Sequence, residues 1–173
     1  MLPTYSTKFE RSYALGATSC QSLYYLLGKD IFSKCLKVYI DTWKYKHPTP
    51  YDFMNTFNMA SGQNLNWFWK SWYFDLGYMD IGITDFSNEV LIIRNEGGRP
   101  LAFAILYLYQ DQSSDKEIIS PVVWKNTDTF KTKVKATKPI KQIKVKLPVG
   151  FDAIRENDLW TAKRRHRVSV NIK

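Results

Sequence analysis

Up to about Gly77 the apolar residues of this chain recur at three- and four-residue steps, and beyond it they alternate with polar ones. The switch predicts an α+β fold, with a helical segment over 1–79 and strands over 80–173. In the first helix Ala17, Cys20, Tyr24 and Leu27 form the apolar row, and Gly28 is the residue type that closes a helix. Phe32, Leu36, Tyr39 and Trp43 line a second helix, with Asp30 near its start, where the helix dipole favours a carboxylate. Lys44 to Pro50 reads as a stiff connector. A third helix starts at Thr49, because Pro50 suits the first helical position and Asp52 can complete a capping box; Ser61 and Gly62 end it. Asn64 can cap a fourth, whose stripe is Leu65, Phe68, Trp69 and Trp72. The dense aromatics from Trp67 to Phe74 would suit a ligand cage or a base-stacking platform, but their helical spacing favours core packing.

Past Asp80, Glu89 to Asn95 and Leu101 to Tyr109 are β-rich runs separated by a turn signal, Glu96-Gly97-Gly98-Arg99-Pro100. Further strands are expected at Glu117 to Trp124, Thr129 to Ala136 and Ile140 to Leu147. Short strands at this rhythm predict a small β-sandwich. Phe130, Thr132, Val134 and Ala136 would face inward and Lys131, Lys133 and Lys135 outward; Ile143, Val145 and Leu147 repeat the pattern against Lys144 and Lys146.

Composition adds bounds. With 173 residues, 45% of them hydrophobic and 16% aromatic, the chain can bury a core and is not a disordered tail. A net charge of +9 favours acidic partners, which brings nucleic acid and anionic surfaces into view. The strand lysines read as a solvated face, so nucleic acid is not an expected partner. Lys163-Arg164-Arg165-His166-Arg167 reads equally as an anion-binding tract or as a basic edge strand that resists aggregation. Cys20 and Cys35 form neither a Cys-x-x-Cys pair nor a disulfide framework, and read as two buried small apolar residues. The first residues lack the features of a signal peptide, and no stretch is long and apolar enough to span a bilayer. The chain as written therefore reads as soluble and without an address, and its compartment stays open.

The chemistry available is limited. A zinc peptidase of the His-Glu-x-x-His class needs two imidazoles one helical turn apart to aim both at one tetrahedral ion. The two histidines, His47 and His166, lie in unrelated segments and read as surface residues. No Ser-His-Asp or Cys-His motif and no Gly-rich phosphate loop occurs. On its own residues the chain is expected to hold no zinc and no complete active site.

Three segments in order nevertheless carry a resemblance. Tyr13-Ala14-Leu15-Gly16, followed by Leu26-Leu27-Gly28-Lys29-Asp30-Ile31-Phe32, resembles the Tyr-x-Lys-Gly helix start and later Leu-Gly-x-x-x-Phe turn of the aminopeptidase N family of zinc metallopeptidases. Tyr39 to Phe53 is similar to that family's lead into its next helix, and Ser61 to Trp72 to its Ser-Gly-x-x-Leu-x-x-Phe-x-x-x-Trp element. The resemblance covers most of Tyr13 to Tyr78. It implies the helical C-terminal lobe of a thermolysin-like catalytic domain over 1–79, followed by a β-sandwich domain over 80–173 that matches only in texture. It also implies that Tyr13 donates its hydroxyl to the oxyanion of the tetrahedral intermediate. Leu15 departs from the pattern, where lysine is usual, and Gly16 reads as a close helix-packing position.

The family's zinc ligands, catalytic glutamate and amino-terminus-binding glutamates have no counterparts here, so the resemblance implies a fragment or truncated member, inactive alone, with zinc belonging to the full-length family. Its expected partners are the missing N-terminal catalytic lobe, a peptide substrate, or a second copy hiding an open, partly apolar groove beside Tyr13. The alternative is a non-catalytic peptide-binding or protein-interaction module derived from the same fold.

Overall fold

The computed structural model describes residues 8–134, 136, 138–147 and 155–162, with side chains from residue 15 onward except that of residue 155. Helices come first and strands follow. Helix α1 (Lys8–Leu27) ends where Gly28, at φ 77°, turns the chain, and α2 (Lys29–Trp43) begins at once. An L side chain is strained at that φ, which is why glycine punctuates the two helices. Helix α3 (Pro50–Ser61) starts with Thr49 as its N-cap in a complete capping box with Asp52, and ends on Gly62 in the left-handed conformation. Helix α4 (Asn66–Trp69) runs on into one wide π-helical turn, Lys70–Phe74, in which the Asp75 amide donates to the Lys70 carbonyl. Asn64 acts at this start through its side chain, which accepts from the Asn66 amide at 3.0 Å.

The helical core is aromatic. Phe57, Phe68 and Trp72 are fully buried, and Phe53, Phe57, Phe68 and Trp69 form a chain of ring contacts with centroids 4.4 to 6.4 Å apart. Each such pair contributes on the order of 0.5–1.5 kcal/mol beyond its area. Asn58 ties α3 to α4 by accepting from Trp69 Nε1 at 2.9 Å and from the Leu65 amide at 3.3 Å. The stripe of Leu65, Phe68, Trp69 and Trp72 is thus core.

Among the described residues seven strands make two antiparallel sheets. One has the order β1 (Ile81–Ser87), β2 (Val90–Asn95), β5 (Thr129–Lys133); the other has β4 (Ser114–Ile119), β3 (Phe103–Tyr109), β6 (Ile140–Lys146), β7 (Leu159–Thr161). Side chains of the two sheets meet: Phe103 lies 5.8 Å from Phe130, and Phe86 lies 4.7 Å from Trp160, centroid to centroid. Leu91, Ile93, Ile105, Ile143 and Val145 are fully buried between them. The chain is therefore α+β, helices plus two antiparallel sheets.

Several expectations need correction. Strand β1 was not expected from the sequence. It is joined to β2 by Asn88 and Glu89, both at positive φ (50° and 63°), a two-residue turn that usually advertises itself with glycine. The run expected as one strand from Glu117 to Trp124 divides at Ser120, because Pro121 opens a 3₁₀ turn, Pro121–Trp124, and the Ser120 side chain accepts from the Val122 amide. Ala136 is exposed, although Val134 is buried and Phe130 and Thr132 are half-buried. In α1 the row Ala17, Cys20 and Tyr24 is exposed, and only Leu27 of the expected four is buried. Cys35 is buried but Cys20 is not. Lys135 and the basic run Lys163 to Arg167 lie outside the described residues.

Candidate functional site

The face that α1 does bury is hydroxylic. Thr18, Ser19 and Ser22 are all nearly inaccessible beside Leu23 and Leu27. Ser19 Oγ donates to the Gly16 carbonyl at 2.8 Å and lies 2.7 Å from the Tyr73 hydroxyl. Ser22 Oγ donates to the Pro100 carbonyl at 2.6 Å. Small hydroxyl side chains let the helix approach both the π-helical turn and the β2–β3 connection, and satisfy polar groups that burial would otherwise orphan. No apolar periodicity announces this face. Thr18, Ser19 and Ser22, hydroxyl residues within little more than one helical turn, were its trace in the sequence.

The β2–β3 connection is the joint of the molecule. Arg99 is 8% exposed, and its guanidinium donates to the carbonyls of Ser71 and Trp72 and stacks 5.6 Å from the Trp72 ring. Burial lowers its pKa from the ordinary arginine value and Asp75 pulls the other way; it stays a cation. Gly97 closes the same joint by exchanging backbone hydrogen bonds around Tyr78 and Asp80. A Cβ on Gly97 would fall 2.1 Å from the Tyr78 carbonyl oxygen, so only glycine fits. In sequence this segment was legible as a turn but not as an anchor.

These contacts set α1, and Tyr13 lies in α1 four residues before Ala17 and seven before Cys20. That places position 13 on the same helical row as Ala17, Cys20 and Tyr24, all exposed. The Tyr13 side chain itself lies outside the described residues. Leu15, the departure from the resembled pattern, packs against the core, a use for an apolar residue where lysine could not serve. Gly16 is not a close-packing position: a Cβ there would meet nothing within 4 Å among the described residues. The Cys20 thiol is raised from its ordinary pKa by desolvation, with Ser19 pulling the other way, so it is no activated nucleophile.

A groove of about 520 Å³ opens between the C-terminal end of α1 and α2. Tyr24, Phe32, Leu36 and Ile40 form its apolar wall, and the Lys37–Asp41 ion pair, 2.8 Å, stands at its rim. Leu36 and Ile40 are 38% and 52% exposed, and Ile31 and Val38 are exposed on the other flank of the same helix. The apolar arc of α2 is thus wider than α1 and α3 can cover. This groove lies eleven residues along α1 from Tyr13, about 16 Å at the helical rise; the groove expected beside Tyr13 falls on side chains outside the described residues. His47 is exposed in the loop after α2, and His166 lies outside the described residues. Among the described residues no three His, Cys, Asp or Glu side chains gather as a metal-binding group. No described helix is long and apolar enough to cross a membrane.

Comparison with known proteins fits this picture. The peptidase family M1 domain matches residues 4–72, from before Tyr13 to the π-helical turn. A crystal structure of Legionella pneumophila aminopeptidase A in complex with aspartic acid superposes with a TM-score of 0.51 at 18% identity, over 68% of this chain and 14% of that one. Among curated proteins nothing matches. The chain thus spans a small part of the length of that aminopeptidase, and over residues 4–72 it is similar to the peptidase family M1 domain.

Proposed function

We propose that this chain is the carboxy-terminal portion of a zinc aminopeptidase: the end of a thermolysin-like catalytic domain over 1–79, then a β-sandwich domain over 80–173. The observation that carries the reading is the M1 match itself, which runs through the start of α1 and takes in Tyr13-Ala14-Leu15-Gly16. Supporting it, α1 and α2 expose an apolar face wider than a surface helix ordinarily presents, the kind of face that a neighbouring lobe covers. In the completed site the Tyr13 phenol would donate a hydrogen bond to the oxyanion of the tetrahedral intermediate. In a water-poor site one such donor stabilises that charge by about 3–4 kcal/mol. The buried serines and the Arg99 joint would hold α1, and with it Tyr13, at a fixed angle.

The zinc would be supplied elsewhere in the polypeptide, on a segment carrying His-Glu-x-x-His. The experiment compares hydrolysis of an aminoacyl p-nitroanilide by the purified chain alone and by the chain co-expressed with its upstream zinc-bearing segment. Activity is expected only in the second case. An upstream region with no such segment, or two folded and associated pieces without activity, would overturn the reading in favour of a non-catalytic module.

A further inference from the structure

The two sheets meet at one side, where Phe86 of β1 lies against Trp160 of β7; at the other side their outer strands are β4 and β5. A cleft of about 340 Å³ opens there, lined by Tyr107 and Tyr109 of β3, Asp115 and Glu117 of β4, and Thr132 and Val134. Tyr107 is buried on the inner face of its sheet and stands opposite Asp115, while Ile105, also buried, stands opposite Glu117. Strand alternation therefore sets both carboxylates on the inner face as well. One oxygen of Asp115 accepts from the Tyr109 hydroxyl at 2.7 Å. Glu117 has no ion-pair or hydrogen-bond partner among the described residues. The Tyr107 hydroxyl likewise has none, although the residue is only 8% exposed.

Lys116 and Lys133 border the cleft too, but each alternates with the inward residues of its strand, and Lys133 is held by Glu89 at 3.7 Å. Lys138, 5.8 Å from the Tyr109 ring, is held by Asp111 at 2.9 Å. The inner wall thus carries two carboxylates that no described cation pairs with. Inward charges on an edge strand also discourage pairing with other sheets. That role has no use for a phenol withdrawn from water and left without a partner, an arrangement that costs stability. Burial, then Glu117 and Tyr109, push Tyr107 up to about 12, so at neutral pH it is an uncharged hydroxyl able to accept as well as donate. A planar cation with several N–H donors completes such a set, because it can span carboxylates about 7 Å apart on one strand face and lie against a tyrosine ring. We propose that this cleft binds a guanidinium group, with Asp115 and Glu117 as its carboxylate partners and the Tyr107 hydroxyl as a third acceptor. The site is independent of the aminopeptidase reading.

The test is an NMR titration of the isotope-labelled chain at low ionic strength with N-acetyl-arginine amide and, separately, with its citrulline analogue, which has the same shape and no charge. The arginine compound is expected to shift the amide resonances of Tyr107, Asp115, Glu117 and Thr132 saturably, with a Kd roughly in the millimolar range, and the citrulline compound to leave them in place. Glu117→Gln, at an exposed residue, should weaken binding roughly tenfold with Tm unchanged, and Tyr107→Phe roughly fivefold. Glu117→Gln decides the matter if Tyr107→Phe does not fold. A capped pentapeptide with one central arginine separates the two sources of the group: binding about tenfold tighter than the single residue assigns a polypeptide laid along β4, and equal binding assigns a small molecule. No saturable shift, shifts centred elsewhere, equal binding of the citrulline compound, or an undiminished affinity in Glu117→Gln would each overturn the proposal.

Discussion

Replacing Arg99 by methionine keeps most of the stem's packing and removes the guanidinium that joins the β2–β3 connection to the π-helical turn. The carbonyls of Ser71 and Trp72 then lose their donor, and the second of these hydrogen bonds is buried. Hydrogen bonds from a charged donor contribute about 1.5–3 kcal/mol each, and an orphaned buried acceptor costs about 1–3. The terms overlap, and removing a buried cation returns some desolvation energy. Loss of the stacking on Trp72 adds about 0.5–2 kcal/mol. The net expectation is a destabilisation of about 2–4 kcal/mol. Urea unfolding monitored by tryptophan fluorescence should show the midpoint falling by roughly 1–2 M with an unchanged slope. Arg99→Lys should fall between, because a single ammonium cannot stack as a plane. An Arg99→Met chain within about 0.5 kcal/mol of the parent, the ordinary range for a surface change, would refute the assignment of this residue as the anchor.

Three further outcomes follow from particular contacts. Gly97→Ala forces a Cβ against the Tyr78 carbonyl oxygen and should destabilise by about 2–3 kcal/mol, whereas Gly98→Ala, with open space but φ 75°, should cost only about 1–2; equal effects in urea unfolding would contradict the geometry. Leu36→Glu with Ile40→Glu places charge on the exposed groove wall, and sedimentation at high protein concentration should show self-association of the parent abolished at little cost in Tm; a parent that stays monomeric would mean the face is not adhesive. Burial, then Glu117 and Tyr109, push the Tyr107 phenol from 10.0 up to about 12. The folded chain therefore keeps a proton that the unfolded chain releases, so stability is intact below pH 10 and is lost as pH rises from 10 to about 12. Tyr107→Phe should flatten that fall, and an unchanged profile would count against it.

What the sequence disclosed was whatever local chemistry dictates. The capping box of Thr49 and Asp52, the left-handed Gly62 and the Leu65 to Trp72 stripe are written in short-range pattern, and all three are present. The change from helical to alternating spacing gave the order of helices and strands. What escaped depended on distant partners. The orientation of α1 follows from Ser19 meeting Tyr73 and Ser22 meeting Pro100, fifty-four and seventy-eight residues away, so hydroxyls occupy the buried side and Ala17, Cys20 and Tyr24 are left outside. Strand β1 was hidden by a turn built from Asn88 and Glu89, and the hydrogen bond from Asn157 to Asp80 by a separation of 77 residues. The candidate site was legible as the short Tyr13 to Gly16 motif; the machinery that would hold it was not.

The claim that Tyr13 belongs to a catalytic site completed upstream is tested most directly by steady-state kinetics. The comparison is between the polypeptide carrying this sequence after its His-Glu-x-x-His segment and its Tyr13→Phe variant, on an aminoacyl p-nitroanilide. Loss of a donor that acts only on the oxyanion should lower kcat by roughly 10²–10³-fold and leave KM nearly unchanged, with Tm and zinc content as in the parent. An unaltered kcat in a folded, zinc-loaded Tyr13→Phe enzyme would contradict the account.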